Sequence, residues 1–284
     1  MIVGVAKAGT TALFRHLAQS PIVYAHKAQE MSHFSSDVEY QRGWKDAVEK
    51  YFSGHQNEIL LAKNVMQAYS RLAMERLKAQ CPTVKCIIIL RDPAERAYSA
   101  FHHARLRGVE DVENFEDALA REAERARTDP EFWESALYIK NSTYEEVLNN
   151  TLEIFGSQNV LVLFQDDYRR DARKQLGKVE RFIGQRLFDT IDVNVDDHNR
   201  AARARYPWLS KYLYRFFKSK GLVRRTLKAI LPHRLAVSLR LKVESFNRLE
   251  AAYPPLNIET AVRIRNQLKN DRDAIVRLVG YCPW

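Results

Sequence analysis

The sequence predicts an α/β fold, with a mainly parallel sheet flanked by helices and a helical C-terminal part. Five short apolar runs are predicted to be strands, and the last two are nearly continuous in hydrophobicity, as expected of strands buried on both faces. Helix-like stretches alternate with these runs, which favours parallel pairing. The predicted strands are Ile2–Val5, Ile22–Ala25, Ile59–Ala62, Lys85–Leu90 and Asn159–Phe164.

Helices are predicted between and after these strands, at Thr11–Gln19, Val38–Phe52, Arg71–Gln80, Ala94–Arg107, Phe115–Ala126, Ser142–Phe155 and Arg169–Ile183. Beyond about Asn194 the chain is also predicted to be helical, with breaks at proline and glycine residues. No linker separates these segments. We therefore expect one domain over residues 1–284, with a basic helical elaboration at residues 195–255.

Composition limits the classes of protein that fit. The chain has 284 residues, of which 46% are hydrophobic, enough to bury a substantial core. It shows neither an apolar run long enough to span a bilayer nor a signal peptide, so a cytoplasmic location is expected. The three cysteines, Cys81, Cys86 and Cys282, lack the paired spacing of a zinc site. We expect a reducing compartment and no metal site.

The charge is strongly basic, with a formal net charge of +10. This favours anionic ligands, nucleic acid or an anionic membrane as partners. Residues 200–242 contain no Asp or Glu and mix cations with aromatic residues. The segment is predicted to be a solvated helix face, a peripheral membrane contact or a surface that attracts a polyanion.

The start of the chain has the features of a phosphate-binding loop. Strand Ile2–Val5 leads into the small-residue loop Lys7-Ala8-Gly9-Thr10-Thr11 and then into a helix. The first N–H groups of a helix have no backbone partner, and the helix dipole adds positive potential. Gly9 lets the backbone approach a ligand, and Lys7 supplies a mobile charge.

This loop differs from the loop that binds nucleoside triphosphates. Gly4 and Gly9 have the spacing of G-x-x-x-x-G-K-[ST], but Thr10 stands where that motif has its lysine. A kinase or NTPase with this loop would lack the group that reaches the β- and γ-phosphates. The alternative of a plain strand–helix turn stays open for the loop alone.

A second anion site is predicted after the strand that ends at Leu90. Arg91 follows that strand, Asp92 suits a helix N-cap, and Pro93 suits the first helical position. Ser99 lies about two helical turns further on. An arginine at the carboxyl end of a parallel strand, with a hydroxyl near it, suits a terminal phosphate.

Together these motifs make the chain resemble the sulfotransferases that use 3′-phosphoadenosine-5′-phosphosulfate (PAPS), particularly the carbohydrate and bacterial branch. The resemblance covers most of residues 1–190 and, more loosely, residues 278–284. It implies a P-loop-like sheet and transfer of a sulfuryl group to a hydroxyl or amine, without a metal. It also implies that the loop Lys7-Ala8-Gly9-Thr10-Thr11 holds the 5′-phosphosulfate and that Arg91 and Ser99 hold the 3′-phosphate.

The same resemblance suggests residues for the chemistry. Glu30, in the stretch Lys27–Phe34, matches the glutamate that serves as the family's general base, while Ser32 takes the place of the usual histidine and His33 follows it. His33 is therefore expected either to line the active site or to pack in the core. Lys63, after the third strand, matches a lysine that faces the reacting groups, although the residues that usually follow it are not reproduced.

Two other classes of function stay open. A P-loop kinase or NTPase would need a lysine at position 10 and a magnesium-binding carboxylate after a strand. A nucleic-acid-binding protein would explain the basic, aromatic C-terminal half, but the chain carries no recognised nucleic-acid motif. We therefore expect a hydroxylated acceptor as the partner and no nucleic acid.

Overall fold

The computed structural model describes residues 1–128, 136–195, 202–206, 208–212, 246–250 and 253–284. They form two compact units. The first contains Met1–Asp92, Thr143–Asn199 and Gln267–Trp284, and the second contains Pro93–Ser142 and Arg200–Asn266. The expectation of one domain over residues 1–284 stays a prediction.

The first unit contains the parallel sheet. Each predicted strand is present within one residue of its expected bounds, because each apolar run is closed by polar or turn residues. The α/β fold class is therefore confirmed. The strands are β1 (Ile2–Gly4), β2 (Val23–Ala25), β3 (Ile59–Leu61), β4 (Cys86–Leu90) and β5 (Val160–Phe164).

Strand β1 connects two parallel ladders, β1–β4–β5 and β2–β3. The Ile2 N–H donates to the Ala62 carbonyl at 2.8 Å, and the Asn64 N–H donates to the Ile2 carbonyl at 3.0 Å. With this bridge the strands follow the order β2–β3–β1–β4–β5. Strands β2 and β3 lie on one side of β1, and β4 and β5 lie on the other. The carboxyl ends of β1 and β4 therefore form the switch point at which open α/β sheets bind ligands.

The centre of the sheet is fully buried from solvent. Ile2, Val3, Ile88, Ile89 and Leu90 have no exposed surface. This burial on both faces explains why the β4 sequence is continuously apolar rather than alternating.

Helices of the first unit surround these strands in sequence. The predicted helix over residues 38–52 is divided, because Gly43 takes a left-handed φ of 86° that interrupts regular hydrogen bonding. The helices are α1 (Thr10–Leu17), α2 (Asp37–Gln41), α3 (Trp44–Phe52), α4 (Arg71–Gln80), α8 (Glu145–Phe155), α9 (Gln165–Arg170), α10 (Ala172–Ile183) and α12 (Lys269–Val279).

The second unit is mainly helical. It contains α5 (Pro93–Leu106), α6 (Phe115–Ala120), α7 (Glu122–Thr128) and most of α11 (Ile258–Gln267). Strands β6 (Ala202–Ala204) and β7 (Arg248–Glu250) pair antiparallel within the predicted basic elaboration at 195–255. Those two segments are extended rather than helical because their backbones pair with each other. The sequence pattern did not show this pairing, since the two partners lie far apart in the chain. Most of residues 200–242 lie outside the described residues.

A buried ion pair holds part of the second unit together. The Arg125 guanidinium donates to both oxygens of Glu110, at 2.5 and 2.8 Å, and the Tyr138 hydroxyl donates to the same carboxylate at 2.8 Å. The Glu110 side chain has no exposed surface. Removing one partner from such a site leaves a buried charge without compensation.

Among the helices that the structure describes, none combines the length and the apolar character needed to cross a bilayer.

Replacing Arg125 by Ala is expected to lower the free energy of unfolding by about 3–5 kcal/mol, because Glu110 then stays buried without its cation. The control is Arg127→Ala, on the same helix but exposed, which is expected to change it by less than about 0.5 kcal/mol. Urea denaturation measures both. Equal free energies of unfolding for the two variants would contradict a stabilising role for the ion pair between Arg125 and Glu110.

Candidate active site

The loop after β1 lies at the switch point of the sheet and is fixed by backbone hydrogen bonds. The Val5 N–H donates to the Ile89 carbonyl at 3.1 Å, and the Ala8 N–H donates to the Val5 carbonyl at 3.3 Å. Lys7 and Gly9 both take left-handed backbone angles, with φ of 71° and 94°. A non-glycine residue in this conformation is uncommon outside functional sites.

Helix α1 starts directly from this loop. It begins at Thr10, and its N-cap residue Gly9 offers no side-chain cap. The first amide groups of the helix therefore have no carbonyl one turn earlier and no capping side chain from Gly9. Together with the left-handed residues before them, they form the kind of concave donor arrangement that binds anions.

Gly9 is enclosed by a side chain from the end of β5. A Cβ atom built on Gly9 would lie 3.4 Å from the Gln165 Nε2 atom. Gln165 is 9% exposed, and its Oε1 atom is buried without a hydrogen-bond partner in the described structure. Gln165 was missed by the sequence analysis, although it follows a strand at the same sheet edge as the loop.

The predicted second anion site contacts the loop. The Arg91 guanidinium donates to the Lys7 carbonyl at 3.1 Å, and the Tyr144 hydroxyl donates to the Arg91 carbonyl at 2.8 Å. The structure thus brings Arg91 and the phosphate-binding loop together. Ser99 lies on α5 in the second unit and is 8% exposed.

The two residues expected to carry the chemistry, Glu30 and Lys63, form an ion pair. The buried Lys63 ammonium donates to Glu30 Oε1, and the Val65 N–H donates to Glu30 Oε2 at 3.0 Å. The Met31 N–H donates to the Lys63 carbonyl at 2.8 Å, which fixes the Glu30 loop to the end of β3. The Glu30 side chain keeps 28% of its surface exposed. The carboxylate is therefore oriented yet open to a substrate.

His33 is placed differently. It is 1% exposed, and its Nε2 atom forms a 2.8 Å hydrogen bond with Gln80 Oε1. Its ring lies 4.9 Å from that of Phe34 and 5.7 Å from that of Trp44. In the described residues the structure does not join His33 to Glu30 and Lys63. These contacts support the alternative of a packed histidine, and a catalytic role for His33 stays a prediction.

A second histidine, His26, lies near the ion pair and was missed by the sequence analysis. It follows β2, is 3% exposed, and its ring centroid lies 4.9 Å from that of Phe14. Burial, and then the Lys63 charge, lower the pKa of His26 to about 4, although the nearby carbonyls of Lys63 and Ala28 oppose this shift. Its position directly after a strand was the available signal.

Among the residues that the structure describes, no three His, Cys, Asp or Glu side chains form a group that can hold a metal ion.

His26 is expected to make stability depend on pH. Its pKa of about 4 in the folded protein lies below the ordinary value of 6.5, so the unfolded chain takes up the proton first as pH falls. Stability from this group is present above about pH 6.5 and declines towards pH 4, by on the order of 2–3 kcal/mol. Unfolding of the wild type and of His26→Leu at each pH tests this. Parallel stability curves for the two proteins would contradict it.

Comparison with known proteins connects this geometry to a family. A family model described as "Sulfotransferase domain" matches residues 1–229. A crystal structure of a sulfotransferase from Alicyclobacillus acidocaldarius matches with a TM-score of 0.60 and 26% sequence identity, over 69% of this chain and 84% of that chain.

Two curated relatives are named for heparan sulfate. Human heparan sulfate glucosamine 3-O-sulfotransferase 3B1 is 28% identical over 187 residues, which cover 65% of this chain and 45% of the relative. Mouse bifunctional heparan sulfate N-deacetylase/N-sulfotransferase 4 is 25% identical over 198 residues, which cover 65% of this chain and 22% of the relative. The chain thus spans less than half the length of these relatives. The family model matches most of the chain, so the chain belongs to the sulfotransferase family.

Proposed function

We propose that this protein transfers a sulfuryl group from PAPS to a hydroxyl or amine of a carbohydrate acceptor. The observation that carries the proposal is the contact between the Arg91 guanidinium and the Lys7 carbonyl. It joins the two elements predicted to bind the two phosphate-bearing positions of one nucleotide. Family membership and the similarity to the bacterial sulfotransferase support the same activity.

The donor is proposed to bind along this edge of the sheet. The amide groups of residues 9–11 and the Lys7 side chain would hold the 5′-phosphosulfate, since they supply donors and positive charge at a helix start. Arg91 would hold the 3′-phosphate, because a guanidinium forms two parallel bonds with a phosphate. Ser99 is proposed as a further donor to that phosphate.

In the proposed reaction the acceptor oxygen or nitrogen attacks the sulfur atom in line with the bond that breaks. Glu30 takes the proton from the acceptor as the new bond to sulfur forms. The bond between sulfur and the bridging oxygen breaks, and the electron pair stays on the 5′-phosphate. Lys7 and the loop amides stabilise the charge that develops there. The products are the sulfated acceptor and adenosine 3′,5′-bisphosphate.

Lys63 has a supporting role in this scheme. Its ammonium holds Glu30 in position. Glu30, being partly exposed, can return its proton to solvent after transfer. Lys63 thus orients Glu30 and leaves its carboxylate accessible to solvent.

The acceptor class follows from the names of the relatives. One is a glucosamine 3-O-sulfotransferase, which implies a hydroxyl acceptor, and the other is an N-deacetylase/N-sulfotransferase, which implies an amine. Both names contain heparan sulfate, and this supports a carbohydrate acceptor here. A cytoplasmic location and a membrane or polyanion contact through residues 200–242 stay predictions.

Gly9→Ala is expected to weaken binding of adenosine 3′,5′-bisphosphate at least about tenfold, because a side chain at a φ of 94° strains the loop whose amide groups would hold the phosphate. Gly280→Ala is the matched control, with a left-handed φ of 83° and open space around it. Both variants are expected to lose about 1–2 kcal/mol of stability. Calorimetric titration measures binding, and wild-type affinity in Gly9→Ala would argue against the loop as the nucleotide site.

Lys7→Ala and Glu30→Gln are expected to lower kcat by about 10²–10³-fold and 10²–10⁴-fold, because one removes charge stabilisation and the other removes the base. Glu30→Gln is expected to keep its bisphosphate affinity. Exposed Lys45→Ala and Glu49→Gln serve as controls. The assay follows radiolabelled sulfate from PAPS to glycan acceptors.

Full activity of Glu30→Gln on a good acceptor would exclude Glu30 as the base. A melting temperature raised by ATP with magnesium, but not by adenosine 3′,5′-bisphosphate, would favour the kinase or NTPase alternative instead.

A further inference from the structure

We infer that Tyr144 and Asp271 are positioning residues for the proposed 3′-phosphate site at Arg91, an inference that rests on the proposed function. All three residues lie in the first unit. Arg91 directly follows β4, whose pairing with β5 ends at Leu90. A guanidinium binds a phosphate best when the backbone beneath it is held in one orientation. The residues that fix the Arg91 backbone therefore affect how tightly the phosphate binds.

The Tyr144 hydroxyl holds the backbone of Arg91. It donates to the Arg91 carbonyl at 2.8 Å, and the Arg91 guanidinium in turn donates to the Lys7 carbonyl at 3.1 Å. Tyr144 has no exposed surface, so its ring is fixed by the side chains packed around it. A rigid hydroxyl thus restrains the peptide group next to the Arg91 side chain.

Asp271 fixes the backbone of Tyr144. Tyr144 is the N-cap residue of α8, and its own side chain does not cap the helix. Asp271, on α12, supplies an acceptor instead: its Oδ1 atom accepts from the Tyr144 N–H at 2.8 Å and from the Glu145 N–H at 2.7 Å. A carboxylate is stabilised at a helix N-terminus by these amides and by the helix dipole. Hydrogen bonds therefore connect α12, through the start of α8, to the end of β4.

Neither residue is suited to contact the nucleotide itself. Tyr144 is fully buried, and Asp271, which is 7% exposed, has the same sign of charge as a phosphate. Both are therefore expected to act through Arg91. Adenosine 5′-monophosphate differs from adenosine 3′,5′-bisphosphate only in lacking the 3′-phosphate. The ratio of the bisphosphate affinity to the monophosphate affinity thus measures the contribution of the group that Arg91 is proposed to hold.

The test measures both affinities by calorimetric titration of the whole chain. Tyr144→Phe removes the hydroxyl that holds Arg91 and keeps the ring, and it is expected to lower the affinity ratio about three- to tenfold. Asp271→Ala is expected to lower the ratio to a similar extent. Asp271→Asn keeps an acceptor oxygen for the two amides and is expected to restore the ratio to within twofold of wild type.

Two matched controls remove comparable groups elsewhere in the first unit. Tyr168→Phe removes a buried hydroxyl that bonds to the His16 Nδ1 atom at 2.6 Å, and Asp273→Ala removes an exposed carboxylate on α12. Both are expected to keep the ratio within twofold of wild type, and melting temperatures show that each variant is folded. An equal fall of the ratio in Tyr168→Phe would overturn the inference, because loss of any buried hydroxyl would then have the same effect.

Arg91→Ala separates the inference from the function on which it rests. Adding Tyr144→Phe to Arg91→Ala is expected to change the ratio by less than twofold, because the hydroxyl acts through the guanidinium. An unchanged ratio in both Tyr144→Phe and Asp271→Ala, or a further fall of threefold or more in the double variant, overturns the inference and leaves the proposed function standing. An unchanged ratio in Arg91→Ala itself rejects Arg91 as the 3′-phosphate ligand, and the inference falls with that part of the proposed function.

Discussion

The candidate site depends on the hydrogen bonds that one residue, Ile2, makes with the strand beside it. Its N–H and carbonyl pair with Ala62 and Asn64, which joins the β2–β3 ladder to β1 and so to β4. Strand β1 has only three residues, so few backbone bonds set this register. Because the strands are parallel, the bridge brings their carboxyl ends to one edge of the sheet. A shift of one residue would turn every side chain of β1 to the other face.

The chemistry at this edge follows from burial as much as from sequence position. Lys63 is 3% exposed, and a buried ammonium is costly unless a counter-charge and hydrogen bonds compensate it. Glu30 supplies that counter-charge, and the Val65 N–H satisfies its second oxygen. The pair is thus mutually dependent: the lysine orients the carboxylate, and the carboxylate allows the lysine to be buried. The same bonds that orient the proposed base therefore stabilise the fold around it.

The sequence predicted the parts of this arrangement that are local. Strand ends and helix starts are set by neighbouring residues, so the loop at Lys7–Thr11 and Arg91 could be located from the pattern, whereas Glu30 and Lys63 were suggested by the family resemblance. Contacts between distant segments could not be predicted from the sequence. The pairing of residues 202–204 with 248–250, the hydrogen bond from His33 to Gln80 and the closeness of Gln165 to Gly9 all join residues far apart in the chain. The alternation of apolar and polar residues and the positions of turn residues do not indicate which distant residues will come into contact.

His26 shows why an undetected neighbour matters for the proposed base. It is buried near Lys63, and a second cation there would compete for Glu30 and repel the ammonium. Burial lowers the pKa of His26 to about 4, so at neutral pH its ring is uncharged. Lys63 then supplies the positive charge beside the carboxylate, and the Phe14 ring lies against both groups, 4.9 Å from the His26 ring and 5.9 Å from the Lys63 ammonium. A neutral histidine at this position fills the space next to the ion pair without altering its charge balance.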